Sequence, residues 1–263
     1  MTTVIVNGAC GRMGQAVLKA VQEADGLELV GAVDIRGGAD TGTLVGLPAN
    51  GILVETDLAA ALERLQPEVM VDFTRPDVVF DNVMTALAHK TSPVVGTTGL
   101  SDEQKAEIAK AAEEYDTPAF IAPNFAIGAV LLMVLSRQAA KYMPEVEIIE
   151  LHHDKKLDAP SGTAIQTAAM IAEVRKEHQQ GNPEEFEKLP GARGANYEGM
   201  HIHSVRLPGY VAHQEVIFGG LGQTLTIRHD SMNRESFMPG VVLAAKKVRG
   251  LKGLTVGLDK LLD

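Results

Sequence analysis

Val4-Ile5-Val6-Asn7-Gly8-Ala9-Cys10-Gly11-Arg12-Met13-Gly14 reads as strand, glycine turn and helix start in that order. The β-branched run suits a buried strand, and the segment Gly14–Ala24 that follows sets Val17, Leu18 and Val21 on one helical stripe. Glycine accepts positive φ and lets a phosphate come close to the backbone. A helix starting near Gly11–Gly14 offers unpaired N–H groups and the positive end of its dipole to a pyrophosphate. Asp34 closes the next apolar run, 20 residues after Gly14, where a carboxylate can accept from adenine-ribose hydroxyls. The spacing is G-x-x-G-x-x-G, not G-x-G-x-x-G, so the dinucleotide reading rests on turn, strand and distant acid together, against the alternative of a purely structural turn. Asp34 favours NAD, because a carboxylate repels a 2′-phosphate. Arg36 could pair with that phosphate or stand as a solvated loop charge. Use of both NADH and NADPH is the expectation.

Outward from this turn, short apolar runs alternate with helix-like segments over the first 125 residues. The strand candidates are Thr3–Val6, Glu28–Asp34, Val69–Thr74, Pro93–Thr97 and Ala119–Ala122. Between most of them lie Leu58–Leu65 behind a Thr56 cap, Asp77–His89, and Asp102–Tyr115 opened by Ser101 and Gln104 in capping-box spacing. That alternation predicts a parallel sheet flanked by helices. Gly96-Thr97-Thr98-Gly99 and Ala122-Pro123-Asn124-Phe125 lie at strand C-terminal ends, where ligands bind in open α/β sheets. Ordinary turn chemistry also accounts for their composition.

The pattern changes after Asn124. Ile127–Tyr142 reads as a buried helix, Val146–Leu151 as a strand, Ala164–Glu177 as a helix and Gln179–Gly199 as a loop. Three strand candidates follow without helices between them: His201–Leu207, Tyr210–Phe218 and Leu225–His229. The expected architecture is α/β: a parallel-sheet domain over 1–125 with a C-terminal return at 234–263, and an α+β domain with a mixed sheet over 126–233.

Composition sets the outer bounds. The 263 residues are 45% hydrophobic and 22% charged, ordinary for a globular chain and incompatible with wholesale disorder. The longest strongly apolar stretch, Ala126–Leu135, falls well short of the roughly 20 residues a spanning helix needs, so no membrane role is expected. MTTVIVNG has no basic segment ahead of a long apolar run, so no secretory leader is expected. With 24 Lys and Arg against 34 Asp and Glu, the net charge of −10 argues against nucleic acid as a partner. Cys10 is the single cysteine, which excludes an internal disulfide and fits a reducing cytoplasm; in a glycine turn it reads as a tolerated small residue before it reads as a nucleophile.

The densest polar cluster is Glu150-Leu151-His152-His153-Asp154-Lys155-Lys156-Leu157-Asp158-Ala159-Pro160-Ser161-Gly162-Thr163-Ala164. Several cationic groups lead into a helix opened by Pro-Ser-Gly-Thr, a combination suited to a small dicarboxylate. N–H groups at Gly162 and Thr163 could hold one carboxylate, His153 and Lys156 could meet the other, and His152 could exchange a proton. Each feature alone has a plainer explanation: histidines at a strand end are often only hydrogen-bonded, and a helix cap is usually structural. His201, His203, His213 and His229 raise a metal reading, but no cysteine cluster or HExxH pattern supports it, and none is expected.

Taken together, Gly8–Gly14, Asp72-Phe73-Thr74, Gly96–Gly99, Ala122–Phe125 and the run HHDKKLDAPSGTA resemble the 4-hydroxy-tetrahydrodipicolinate (dihydrodipicolinate) reductase family. His201–Gly209 and Leu225–Asp230 are similar to that family as well. The resemblance implies a Rossmann domain plus a substrate and oligomerisation domain, a homotetramer, and NAD(P)H-dependent reduction of (2S,4S)-4-hydroxy-2,3,4,5-tetrahydrodipicolinate to tetrahydrodipicolinate in the diaminopimelate route to lysine. It implies His152 as proton donor and acceptor, Lys156 as proton donor, and His153, Gly162 and Thr163 as substrate-binding. Gly8, Ala9, Cys10, Gly11, Arg12, Met13, Asp34, Gly96, Thr97, Thr98, Ala122, Pro123, Asn124 and Phe125 fall on cofactor positions. Some members place arginine directly after the acid; here Ile35 stands there and Arg36 follows. The competing readings are another NAD(P)-dependent imine or amino-acid dehydrogenase and a non-catalytic NAD(H)-sensing module.

Overall fold

The structure, a computed structural model, describes residues 1–176, 178 and 180–262. It divides into two compact units, Met1–Phe125 with Arg234–Asp263, and Ala126–Asn233.

The first unit begins with β1 (Thr2–Asn7), α1 (Arg12–Glu23), β2 (Leu27–Val33), a four-residue helix α2 (Thr41–Leu44) and β3 (Val54–Glu55). It continues with α3 (Leu58–Leu65), β4 (Val69–Asp72), α4 (Val79–Ala88), β5 (Ser92–Val95), α5 (Asp102–Glu114) and β6 (Ala119–Ile121). The amphipathic stripe of α1 is real: Val17, Leu18 and Val21 are buried. The capping box on α5 forms, with Ser101 accepting from Gln104 N–H and Gln104 reaching back to Ser101 N–H. Thr56 does not cap α3. Asp57, immediately before Leu58, accepts from Ala60 N–H instead, since the first helical residue sets which side chain reaches the orphan donors.

The second unit holds α6 (Ile127–Ala140), β7 (Glu145–His152), α7 (Gly162–Ala172), β8 (Ala195–Tyr197), β9 (Met200–Arg206), β10 (Ala212–Gly220) and β11 (Gln223–Ser231). The mixed sheet runs β11-β10-β7-β9-β8, with β7 and β9 parallel and the other pairs antiparallel. β8 lies inside the stretch expected to be loop; a three-residue edge strand, largely exposed, leaves no alternation to read. α6 is not buried all round: Leu131, Val134 and Leu135 are exposed while Val130, Leu132 and Met133 are buried. α7 starts two residues earlier than expected, because Ser161 serves as its N-cap; the expected end at Glu177 and the expected loop start at Gln179 lie outside the described residues.

The chain returns to the first unit through α8 (Met238–Lys247) and β12 (Leu254–Val256), the latter pairing in parallel with β6. The tail thus supplies an edge strand to the parallel sheet. The completed sheet runs β12-β6-β5-β4-β1-β2-β3, and every pairing is parallel. β1 sits between β2 and β4, so the chain leaves it in opposite directions on its two sides. That switch point opens a crevice at the strand C-terminal ends. Among the described residues no helix is long and apolar enough to cross a membrane.

Candidate active site

In the first unit the glycine turn closes on itself. Gly8 has φ +83°, and a Cβ there would stand 2.5 Å from the Phe73 carbonyl oxygen. A Cβ on Gly14 would stand 2.0 Å from the Gly8 carbonyl oxygen, so α1 can pack against the turn only without a side chain at that position. Gly11 N–H bonds the Gly8 carbonyl, and Gly11 is the residue from which α1 departs, with no side-chain cap. The arrangement keeps the helix N-terminus open for an anion.

Asp34 follows β2, and its carboxylate accepts from Cys10 N–H at 2.9 Å and from Arg36 N–H at 3.1 Å. Arg36 donates through Nη2 to the Cys10 carbonyl at 2.9 Å, and its side chain is otherwise exposed. Burial, and then the Asp34 carboxylate, push the Cys10 thiol above its ordinary range, which disfavours a thiolate nucleophile. A cavity of about 380 Å³ lies beside the turn, bounded in part by Asn7, Gly8, Asp34, Arg36, Thr74 and Asn82.

A buried carboxylate organises the switch point. Asp72 is inaccessible to solvent. One of its oxygens accepts from Asn7 Nδ2 at 2.9 Å and Asn82 Nδ2 at 3.0 Å. The other accepts from Thr74 N at 3.1 Å, Thr74 Oγ1 at 2.8 Å and Thr97 Oγ1 at 2.8 Å. One side chain therefore ties the ends of β1, β4 and β5 together and sets the Gly96–Gly99 loop. Thr97 is buried and Thr98 exposed on that loop. A Cβ on Gly96 would fall 2.2 Å from the Phe73 ring, so the loop packs flat on that aromatic. Of the Ala122–Phe125 segment, Ala122 is buried and Pro123 exposed. The Phe125 ring is in the core, tilted against Phe73 at 5.9 Å and Phe120 at 6.0 Å, so a cofactor would meet its backbone.

In the second unit, Glu150 is the polar centre. Val146, Ile148 and Glu150 alternate along β7 on its buried face, and Glu150 is fully inaccessible. Its carboxylate lies 2.5 Å from His152 Nδ1 and accepts from Arg206 Nη1 and Nη2 at 2.9 and 2.7 Å and from Ser161 N–H at 3.2 Å. Burial alone would raise its pKa. Hydrogen bonds from His152, Arg206 and Ser204 outweigh that and lower it to about 2. Arg206 Nη2 also donates to the Asp158 carbonyl at 2.8 Å. Lys156 Nζ donates to both oxygens of Asp158, at 2.7 and 2.9 Å, and this ammonium is the leading cause that lowers the Asp158 pKa. Ser161 Oγ accepts from Ala164 N–H, and among the described residues the space where a Cβ on Gly162 would sit is open beyond the helix's own backbone.

The fold therefore gathers His152, Lys156 and the Gly162–Thr163 helix start around one loop, with His153 exposed beside them. It gathers Gly8–Met13, Asp34 and Gly96–Thr98 at the crevice of the other unit. His203 lies against Glu147 at 2.5 Å and His213 against Asp230 at 2.6 Å, each committed to a carboxylate. Three residues central to these networks, Glu150, Asp72 and Arg206, lie in the motifs quoted from the sequence but had no role assigned to them there. Glu150 had a readable signal, a carboxylate in phase with Val146 and Ile148 two positions before His152. Asp72 had one as well, an acid closing an otherwise apolar strand. Arg206 had none, because it meets Glu150 only through the pairing of β7 with β9.

Comparison with known proteins agrees with this architecture. The family model described as dihydrodipicolinate reductase, N-terminus, matches residues 2–125, and that described as dihydrodipicolinate reductase, C-terminus, matches residues 128–262. The 4-hydroxy-tetrahydrodipicolinate reductase of Halalkalibacterium halodurans is 54% identical, with all of both chains covered. That of Desulfitobacterium hafniense is 52% identical over 99% of this chain and 98% of its own. The dipicolinate-bound dihydrodipicolinate reductase from Paenisporosarcina sp. TG-14 superposes with a TM-score of 0.90 at 47% identity, covering 99% of each chain. An amine dehydrogenase from Mycobacterium smegmatis, at 15% identity and a TM-score of 0.70 over 98% of this chain and 95% of its own, shares the fold. With both family models matched and half-identical relatives over its full length, this chain belongs to the dihydrodipicolinate reductase family, NAD(P)H-dependent oxidoreductases.

Proposed function

We propose that this chain reduces (2S,4S)-4-hydroxy-2,3,4,5-tetrahydrodipicolinate to tetrahydrodipicolinate, the lysine-pathway reaction of its family, with Lys156 and His152 handling protons and His153, Gly162 and Thr163 holding the substrate. The observation that carries this reading is the Lys156 ammonium, held by both oxygens of Asp158 in the loop that joins His152 to the start of α7.

The chemistry follows from the groups present. A dicarboxylate needs two anion-binding points near one ring. The N-terminus of α7 supplies one through helix N–H groups and dipole. His153 and Lys156 supply the other. The 4-hydroxyl leaves the ring as water, and the conjugated imine that remains takes up hydride and one proton; Lys156 Nζ delivers that proton, and His152 exchanges a proton with the same group.

The cofactor residues fit their role in the other unit. Gly8, Gly11 and Gly14 let the turn close on α1 without a Cβ striking the backbone, which keeps the uncapped helix N-terminus available to a pyrophosphate, and Ala9, Cys10, Arg12 and Met13 contribute the turn and first helical N–H groups. Asp34 keeps acceptor capacity for ribose hydroxyls, and Arg36 is placed to leave the Cys10 carbonyl for a 2′-phosphate, so both NADH and NADPH serve. Gly96, Thr97 and Thr98, with Ala122, Pro123, Asn124 and Phe125, hold the nicotinamide end through small side chains and backbone. When bound, NADH or NADPH supplies the hydride.

The chain acts in the cytoplasm as a homotetramer in this reading. Glu147, Ile149, Leu151 and Ile217 lie half-buried on the face of the mixed sheet opposite the buried Val146, Ile148, Val216 and Phe218, a face suited to a second copy.

Lys156→Ala tests the assignment. Turnover is expected to fall by about 10²- to 10⁴-fold, while NADH and NADPH affinity, measured by fluorescence titration, stays within about twofold. Undiminished turnover overturns it.

A further inference from the structure

We infer that Glu150 is the positioning residue that fixes His152 in its Nδ1–H tautomer and leaves Nε2 as the nitrogen that exchanges the proton; the second half rests on the role proposed above for His152.

A carboxylate on the apolar face of a strand is tolerated only when its oxygens are met by donors. The groups that meet them are Arg206 Nη1 and Nη2, Ser161 N–H, the Ser204 hydroxyl and the imidazole. The first three can only donate. The hydroxyl rotates to suit its partner, and His152 Nδ1 donates or accepts according to its tautomer. Glu150 is ionised at physiological pH, since the two-pronged Arg206 guanidinium holds the carboxylate form independently of the imidazole, in line with a carboxyl lowered to about 2. An ionised carboxylate only accepts, so the 2.5 Å contact requires the proton on Nδ1. The neutral ring then carries its lone pair on Nε2.

Arg206 keeps the carboxylate from turning. Its two terminal nitrogens take one oxygen each, and they also donate to the Val205 and Asp158 carbonyls. The guanidinium thus links β9, the end of β7 and the loop that carries Lys156. The carboxylate plane is set by this fork, and the imidazole must conform to it.

The amide analogue makes the assignment testable. In Glu150→Gln one oxygen becomes an NH₂. At the position facing Ser161 N–H and Arg206 Nη2 it would meet two donors. At the position facing His152 it would meet Arg206 Nη1 and one group able to change. The amide therefore turns its nitrogen toward His152, and the imidazole shifts to Nε2–H to accept. The nitrogen needed as an acceptor becomes a donor.

The experiment is long-range ¹H–¹⁵N NMR on ¹⁵N-histidine-labelled full-length protein at pH 8, with the His152 resonances assigned by their loss in His152→Asn. The expected result is Nδ1–H with bare Nε2 in the wild type, the reverse in Glu150→Gln, and the wild-type pattern in Arg206→Met, which keeps the carboxylate. Turnover of Glu150→Gln is expected to fall by about 10²-fold or more, with the apparent KM for the substrate changed by less than about threefold. A bare Nδ1 in the wild type overturns the inference even if Glu150→Gln fails to fold, and so does an unchanged tautomer in folded Glu150→Gln. A reversed tautomer with unchanged turnover overturns the catalytic half and, with it, the role proposed for His152, while the hydrogen-bond assignment stands.

Discussion

Each unit is built around one fully buried carboxylate, and the two are satisfied by different chemistry. Asp72 is met by neutral donors: two asparagine amides, two threonine hydroxyls and one backbone N–H. Glu150 is met by a guanidinium and an imidazole as well as a hydroxyl and a backbone N–H. Neutral donors from three strand ends make Asp72 a clamp on backbone loops. Charged and titratable donors make Glu150 a setting for the imidazole beside it, the group proposed to carry a proton. The same burial therefore does mechanical work in one unit and electrostatic work in the other.

The largest expected effect comes from removing the clamp. Asp72→Ala leaves several buried donors unmet at about 1–3 kcal/mol each, so a stability loss of about 4 kcal/mol is expected in urea unfolding. Cofactor affinity should weaken by tenfold or more through the displaced Gly96–Gly99 loop. Stability unchanged within 1 kcal/mol would erase the contrast between the two centres.

Next is the pH dependence of the second centre. The Glu150 carboxyl sits near 2 when folded against an ordinary 4.5. Between those values the unfolded chain binds the extra proton. The stabilisation is thus complete above pH 4.5 and is lost as pH falls toward 2, about 3 kcal/mol in all. Arg206→Met should narrow that window, read from urea midpoints measured across it, whereas an equal window in both proteins would deny Arg206 its part.

A smaller change probes cofactor choice within the first unit. Arg36→Ala is expected to weaken NADPH binding by about tenfold, the worth of one charge-assisted hydrogen bond, and to leave NADH nearly unaffected. Equal losses for both would place Arg36 outside the 2′-phosphate site. Last is Ser161→Ala, which removes the N-cap of α7 and should cost about 1 kcal/mol in thermal unfolding.

Much of this was legible in the chain itself, for reasons that are local. The Gly8–Gly14 turn is written in residue types, because only glycine fits where a Cβ would strike the Phe73 or Gly8 carbonyl. The α5 capping box is likewise a matter of neighbours three residues apart. The edge strands β3, β8 and β12, two or three residues each, were not legible, since they exist by pairing with a longer partner. Lys156, His152 and the Ser161–Thr163 helix start share one run of sequence, so their nearness is readable from the chain alone. The guanidinium that organises them comes from position 206, and the pairing of His152 with Arg206 across β7 and β9 is what delivers it.

By itself the sequence determined the alternation of strand and helix, the glycine turn with its acid at Asp34, and the run of candidate proton carriers, because propensity, periodicity and turn stereochemistry act over a few residues. Only the tertiary structure decided which carboxylates are buried, which donors meet them, and so which nitrogen of His152 holds a proton. Those outcomes depend on groups distant in the chain being brought into a dry interior, where an unmatched charge is too costly to persist.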